Sequence, residues 1–162
     1  MVKNALEPEW EAIFERYSYG FRPGRSPHDA KESIYNLARP NKRNKWVVDA
    51  DIRGCFDNIS HDFLLELLTG FPARELIKQW LKAGYMEGGS WHLTDAGTPQ
   101  GSFVSPLLAN IALHGMESVL GIKYNKEGEL RASRALVRFA DDFVVFCESK
   151  EDAENAIKIL TD

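Results

Sequence analysis

The segment LVRFADDFVVFC, residues 136–147, constrains the fold more than any other part of the chain. It sets two adjacent acids, Asp141 and Asp142, between two runs of mostly apolar residues, which predicts a hairpin of buried strands over residues 135–147. Two like charges at the tip of such a hairpin repel each other, and burial makes it harder to keep both charged. The pattern therefore indicates either a solvated Asp–Asp turn or a site that binds a cation.

The remaining pattern predicts one further strand, WVVDADI at residues 46–52, and a set of helices. Ser26, Pro27 and Asp29 are typical of a helix start, as the N-cap, the first helical residue and the second half of a capping box. The predicted helices cover approximately residues 6–17, 27–38, 60–70, 72–84, 105–121 and 150–162. Gly115 interrupts the fifth of these, where a better helix former is expected.

The order strand, helix, strand, strand, helix predicts an α+β fold, a ferredoxin-like split βαβ sheet that lacks its final strand. In that topology the first strand is a neighbour of the hairpin, so Asp51 should lie close to Asp141 and Asp142. Three carboxylates at one end of a sheet form an oxygen-rich site suited to Mg²⁺. Two such ions, roughly 3.5–4 Å apart, can serve phosphoryl transfer.

Composition excludes several other classes of protein. With 44% hydrophobic residues in 162, the chain can bury a core, but it has no apolar run long enough for a membrane span. Its N-terminal sequence, MVKNALEPEWEAIFERY, does not resemble a signal peptide, so we expect a cytoplasmic protein with Cys55 and Cys147 reduced and buried. The four histidines lack zinc-ligand spacing.

The charge is unevenly distributed along the chain. The formal net charge is −4, yet residues 16–45 contain eight basic and two acidic residues. Such a basic segment joined to an acidic remainder indicates a surface that faces phosphates. A solvated basic helix and loop is the alternative interpretation.

Four segments together resemble the successive motifs of group II intron reverse transcriptases, also called maturases. In chain order they are YSYGFRPGRSPHDA, VVDADIRGCFDNISHDFL, GTPQGSFVSPLLANIAL and VRFADDFVVF. The resemblance covers nearly the whole chain, although FADD replaces the commoner YADD. It implies a polymerase palm with helices on one face of the sheet, at residues 46–162. It also implies a partial, mostly helical fingers segment at residues 1–45, with the final palm strand and the thumb absent.

The resemblance assigns roles to residues by position. Asp51, Asp141 and Asp142 match the catalytic, metal-binding aspartates, and the backbone carbonyl of Ile52 matches a further metal ligand. Asp49 shares the strand face of Asp51 but lies further from the strand end, so we do not expect it to bind metal.

Further positions match the nucleotide-binding part of the family site. Phe56 matches the aromatic residue under the incoming sugar, where it would clash with a 2′-hydroxyl, although a core aromatic residue is the alternative. Gln100 and Gly101, in the PQG loop, match residues next to the nucleotide. Arg22 and Arg25 match the fingers motif and could clamp phosphates, or could pin a loop to a helix end.

The resemblance implies an RNA-directed DNA polymerase that depends on Mg²⁺, with Mn²⁺ as a substitute. Its expected partners are an RNA template, a DNA primer, deoxynucleoside triphosphates and structured intron RNA. A complementing chain or a homodimer could pair with the open edge of the sheet. An RNA-binding splicing cofactor and an inactive remnant are the alternatives, but the three intact aspartates favour the enzyme.

Overall fold

The computed structural model describes residues 1–40, 45–88, 90–92, 94–98, 102–127 and 129–161. The chain forms two compact units, each built from two separate stretches of sequence. Unit 1 consists of Met1–Phe14 and Arg53–Leu113, and unit 2 consists of Glu15–Ile52 and His114–Asp162. This division differs from the boundary at residues 45 and 46 that we predicted between fingers and palm, and that functional division stays a prediction.

The elements of each unit are as follows. Unit 1 contains helices and a short hairpin: α1 Val2–Glu11, α3 Cys55–Asn58, α4 His61–Leu67, α5 Arg74–Leu81, β2 Tyr85–Glu87, β3 Ser90–His92 and α6 Ser105–Ala112. Unit 2 contains the main sheet and its helices: α2 Pro27–Leu37, β1 Trp46–Asp51, α7 Met116–Val119, β4 Ala135–Phe139, β5 Asp142–Cys147 and α8 Lys150–Thr161. The hairpin of β2 and β3 had not been predicted.

The sheet of unit 2 has the strand order β1-β5-β4, and both neighbouring pairs are antiparallel. The hairpin strands β4 and β5 are adjacent, and β1 pairs with β5 along its full length. This is the order of strands one, three and two in a split βαβ sheet. The predicted α+β sheet, with the first strand beside the hairpin, is confirmed.

Helices cover both faces of this sheet. On one face, Ala153 and Ala156 of α8 pack with Val48, Val145 and Cys147. On the other face, Ala30 of α2 and Tyr19 of the preceding segment pack with Ala135, Val137 and Phe146. The helix α8, which belongs to the predicted palm, covers one face, and α2, which belongs to the predicted fingers segment, covers the opposite face. The hairpin is apolar on both sides and needs cover on both.

The start of α2 follows the predicted capping pattern. The Ser26 side chain accepts a hydrogen bond from the backbone N–H of Asp29, and the Asp29 carboxylate accepts one from the backbone N–H of Ser26 at 2.7 Å. These two bonds satisfy amide groups that the first turn of a helix leaves without partners. The predicted cap and first residue of this helix are confirmed.

Unit 1 is a helical body around an apolar core. Leu6 of α1, Leu64 of α4, Ile77 of α5 and Ile111 of α6 are fully buried in that core. Helix periodicity predicted these four segments, although α1 begins and ends earlier than predicted and the other three are shorter than predicted. Burial of such side chains supplies the main driving force for folding of the unit.

The predicted helix at residues 105–121 is wrong in one respect, because it is two helices. α6 ends at Ala112 and α7 begins at Met116. Gly115 between them has a φ of 102°, a conformation that glycine adopts at little cost and that ends a right-handed helix. Among the residues whose structure is described, no helix is both long and apolar enough to cross a lipid bilayer.

Candidate active site

Two of the three predicted aspartates face each other across neighbouring strands. Asp51 is the last residue of β1, Asp142 is the first residue of β5, and the strand register pairs them directly. Directly opposite residues project to the same face of a sheet, with their Cβ atoms about 4.5–5.5 Å apart. Both residues are exposed. The strand ends therefore present two adjacent carboxylates to solvent.

The third aspartate lies in the turn that joins β4 to β5. Phe139 pairs with Asp142, which leaves Ala140 and Asp141 as the two residues of the loop. Ala140 has a φ of 59°, in the left-handed region that residues with a β-carbon seldom adopt. A two-residue hairpin loop requires this conformation to match the twist of its strands. Asp141 thus occupies a tight and strained turn, and Asp142, which follows it, pairs with the end of β1.

The arrangement can be compared with the needs of a divalent cation. Exposed carboxylates are hard oxygen ligands, and the Asp51–Asp142 pair offers such ligands from two strands. In the described part of the chain, no group of three or more His, Cys, Asp or Glu side chains is placed to hold a metal ion. The paired aspartates therefore fit a cation that also takes ligands from a substrate or from water.

The residues next to Asp51 are placed as the strand alternation requires. Asp49 is exposed and pairs with Val144, which puts it on the face of Asp51 but one step further from the turn. Ile52 follows the end of β1 and packs partly against the apolar core of unit 2. The proposed use of its carbonyl as a metal ligand stays a prediction.

Phe56 belongs to unit 1 and lies in α3. Its side chain is half-buried and packs against the core of that unit, and its carbonyl accepts a hydrogen bond from the Thr98 N–H at 2.7 Å. This position is compatible with both interpretations made from the sequence, so its contact with a sugar stays a prediction. Gln100 and Gly101 lie outside the described residues.

Arg22 is buried and holds its own loop together. Its Nη1 donates hydrogen bonds to the backbone carbonyls of Glu15 and Ser18, both at 2.9 Å. The side chain is only 7% exposed, which favours the loop-pinning alternative over a contact with phosphate. The burial of Arg22 therefore does not support its predicted contact with phosphate.

Arg25 is more accessible than Arg22. Its guanidinium lies 5.3 Å from the centre of the Tyr19 ring, and its Nη1 donates to the carbonyls of Arg16 and Ser18. Stacking on an aromatic ring leaves a guanidinium able to use its remaining donors. A phosphate contact by Arg25 stays a prediction.

A buried group of acids in unit 2 had not been predicted. The Glu15 carboxylate accepts hydrogen bonds from the backbone N–H groups of Gly115 and Glu117, at 2.9 and 2.8 Å. Glu117 is also buried, and its carboxylate accepts a hydrogen bond from the Tyr124 hydroxyl at 2.8 Å. Burial raises the pKa of Glu117 to about 7, the Tyr124 bond opposes this, and the Glu15 charge adds to it. Contacts between residues about 100 positions apart leave no local pattern that could have predicted them.

The comparisons with known proteins agree with this architecture. The family model for reverse transcriptase (RNA-dependent DNA polymerase) matches residues 1–162. The group II intron-encoded protein LtrA of Lactococcus lactis subsp. cremoris is 42% identical over 137 residues, which are 80% of this chain and 22% of that protein. An uncharacterized 91 kDa protein in the cob intron of Schizosaccharomyces pombe is 40% identical over 124 residues, 74% of this chain and 15% of that protein.

A solved structure shares the fold at lower sequence identity. The apo telomerase of Candida tropicalis matches 99% of this chain and 36% of that chain, with a TM-score of 0.68 and 17% identity. The split sheet with flanking helices is thus the fold of a polymerase palm with part of its fingers. The chain belongs to the reverse transcriptase family, and the predicted similarity to group II intron proteins is confirmed. It spans less than a quarter of the length of either relative described above.

Proposed function

We propose that this chain carries the catalytic palm of an RNA-directed DNA polymerase of the group II intron type. The observation that carries the proposal is the pairing of Asp51 with Asp142 at the end of the sheet, beside the turn that holds Asp141. Family membership supports the reaction, which joins a deoxynucleotide to a primer copied from RNA.

The aspartates would hold the divalent cations that such a reaction uses. Bound Mg²⁺ would activate the attacking primer oxygen and stabilise charge on the leaving pyrophosphate. Asp51 and Asp142 would supply carboxylates from two paired strands of one sheet, and Asp141 would add a carboxylate from the turn that joins β4 to β5. Because these residues are fixed on strands, they keep the reacting groups aligned. Such alignment accounts for a large share of an enzyme's rate enhancement.

Other residues would select and orient the substrates. Phe56 would exclude a 2′-hydroxyl, Gln100 and Gly101 would lie against the incoming nucleotide, and Arg25 would contact phosphate. Arg22 would support the loop that carries Arg25, since it bonds to the carbonyls of that loop. The L. lactis relative is a group II intron-encoded protein, which supports structured intron RNA as a partner.

The test is primer extension by the full-length protein, on an RNA template with Mg²⁺ and deoxynucleoside triphosphates. Asp142→Asn and Asp51→Asn should each lower the rate about a thousandfold or more, near 4 kcal/mol of transition-state stabilisation, since a metal contact is worth several kcal/mol. Binding of the primer and template, measured by fluorescence anisotropy, should change little. Asp141→Asn should have a comparable effect.

Asp49→Asn is the matched control, because Asp49 is also exposed on the same face of β1 but pairs with Val144. We expect it to lower the rate by less than about tenfold. Equal losses at Asp49 and Asp142 would contradict the assignment of the site. A wild-type protein that binds RNA but extends no primer would favour the splicing-cofactor alternative.

A further inference from the structure

A short segment of the fingers motif runs along the outer edge of β4. The Arg138 N–H donates to the Tyr17 carbonyl, and the Tyr19 N–H donates to the Arg138 carbonyl, both at 2.9 Å. Ser18 and Arg138 form a parallel bridge as a result. The segment thus uses backbone groups of β4 that β5 does not use, close to the strand end that leads into the aspartate turn.

The next residue of this segment touches the turn itself. A β-carbon added to Gly20 would lie 2.2 Å from the backbone nitrogen of Ala140 and 2.8 Å from its Cα. The backbone of Gly20 is not left-handed, so the need for glycine here is steric. Any larger residue would push Ala140, or the segment itself, out of place, because backbone atoms cannot yield as a flexible side chain can.

Arg138 also holds this turn, through its side chain. Its side chain is 1% exposed, and its Nη1 donates a hydrogen bond to the Ala140 carbonyl at 2.9 Å. Burial of a guanidinium is costly and persists where its hydrogen bonds compensate. The left-handed conformation of Ala140 likewise persists where the surroundings enforce it. Gly20 and Arg138 hold Ala140 in this conformation, Gly20 by its close backbone contact and Arg138 by its charge-assisted hydrogen bond.

We propose that Gly20 and Arg138 are positioning residues, which fix the turn of Ala140 and Asp141 and so aim the aspartates at the metal ions. The proposal rests on the proposed function of the aspartates and gives the fingers motif a second role. Arg22 belongs to the same support, because it ties the carbonyls of Glu15 and Ser18 together directly before the contact.

The test measures metal binding as well as activity, in the full-length protein. Gly20→Ala and Arg138→Lys are compared with wild type by the affinity for Mn²⁺, from electron paramagnetic resonance, and by the Mg²⁺ concentration that gives half-maximal primer extension. Gly121→Ala is the matched control. Its added β-carbon would meet nothing within 4 Å, and its φ of 71° makes alanine unfavourable for stability. Thermal unfolding of each variant shows whether it is folded at the temperature of the assays.

We expect Gly20→Ala to weaken Mn²⁺ binding about 10- to 100-fold and to raise the required Mg²⁺ in parallel, as with other groups that orient metal ligands. Arg138→Lys should have a smaller effect in the same direction, since lysine keeps the charge but loses the guanidinium geometry. Gly121→Ala should lower the unfolding temperature and leave Mn²⁺ affinity unchanged. A purely structural role would reduce the amount of active protein without changing the metal dependence.

Three results would overturn the inference. They are unchanged Mn²⁺ affinity in folded Gly20→Ala and Arg138→Lys proteins, loss of folding in both variants, and absence of Mn²⁺ binding by the wild type. Failure of the proposed function gives a different result. In that case the wild type binds Mn²⁺ in a manner that depends on Asp142 but extends no primer, and the Mn²⁺ data on Gly20→Ala still decide the positioning role.

Discussion

At the scale of single residues, Glu117 is a carboxyl group buried where an apolar side chain would be less costly. Its pKa is raised from 4.5 to about 7, so between these values the folded protein binds more protons than the unfolded chain. Folding stability therefore falls as the pH rises from about 4.5 to 7. Glu117→Gln should remove this loss, of order 3 kcal/mol by pH 8, since the shift from 4.5 to about 7 is roughly 2.5 pKa units and each unit is worth about 1.4 kcal/mol.

Urea denaturation at several pH values would measure this effect. Stability of the Glu117→Gln variant should exceed that of wild type at pH 8 and approach it near pH 5. The matched control is Glu127→Gln, at an exposed position. The curves of stability against pH for this variant and for wild type should remain parallel. A pH-independent difference between wild type and Glu117→Gln would contradict the protonation of a buried Glu117.

Phe56 provides a second prediction at this scale. If its ring lies under the sugar, Phe56→Ala should chiefly raise incorporation of ribonucleotides, because the clash with the 2′-hydroxyl is removed. The ratio of ribonucleotide to deoxynucleotide incorporation by the full-length protein is the measurement. Phe63→Ala, at a phenylalanine of the same unit that is 48% exposed, should leave that ratio unchanged. Unaltered discrimination in the Phe56 variant would leave it only a packing role.

The sequence was most informative about residues whose role is local. Aspartates at strand ends were predictable because alternation and turn chemistry depend on neighbours in the chain. The hydrogen bonds of Glu15 to the backbone of Gly115 and Glu117 could not be predicted, because these partners lie 100 and 102 positions away in the sequence. Arg138 did leave a signal, as a single charge within the apolar strand ALVRF.

At the scale of secondary-structure elements, the start of α2 is the most predictable part of the fold. Ser26 provides one half of a complete capping box. Ser26→Ala should lower the free energy of unfolding by about 1 kcal/mol, because a backbone N–H at the helix start loses its acceptor. Chemical denaturation measures the change. Ser118→Ala, at an exposed serine of α7, should alter stability by less than about 0.5 kcal/mol. Equal effects would argue against the cap.

The helix at residues 105–121 shows why boundaries were harder to predict than elements. The apolar spacing continues past Ala112, and helical periodicity alone cannot reveal a break there. The break depends on the conformation of Gly115, whose φ of 102° ends the right-handed path. The Glu15 carboxylate then accepts the N–H groups of residues 115 and 117. A tertiary contact thus stabilises an interruption that the sequence only permitted.

At the scale of the whole molecule, β1 is an edge strand of the sheet in unit 2. Within the described ranges its sheet partner is β5 alone, and Val47 is 51% exposed. Unpaired strand edges with apolar side chains favour association with other strands. A polypeptide of these 162 residues should therefore form dimers or larger species, as measured by sedimentation velocity. Val47→Lys should reduce that association, since a charge on an edge strand opposes pairing.

Ile13→Lys is the control for added charge, because Ile13 is similarly exposed at 57% but lies outside the sheet. It should leave the distribution of species close to that of wild type. A monomeric wild-type polypeptide at micromolar concentration would contradict the prediction that this edge is available to another strand.

Because each unit is assembled from two separate stretches, the order of synthesis restricts when the aspartates can meet. Asp51 belongs to the first stretch of unit 2, and Asp141 and Asp142 belong to the second. With ribosomes adding about 5–20 residues per second, the roughly 90 residues between them take on the order of 5–20 s to appear. During that interval β1 has been made but β5 has not, so its apolar side chains await their partner. Exposed apolar surface of this kind makes a nascent chain prone to aggregation, and metal affinity should arise only as β5 is completed.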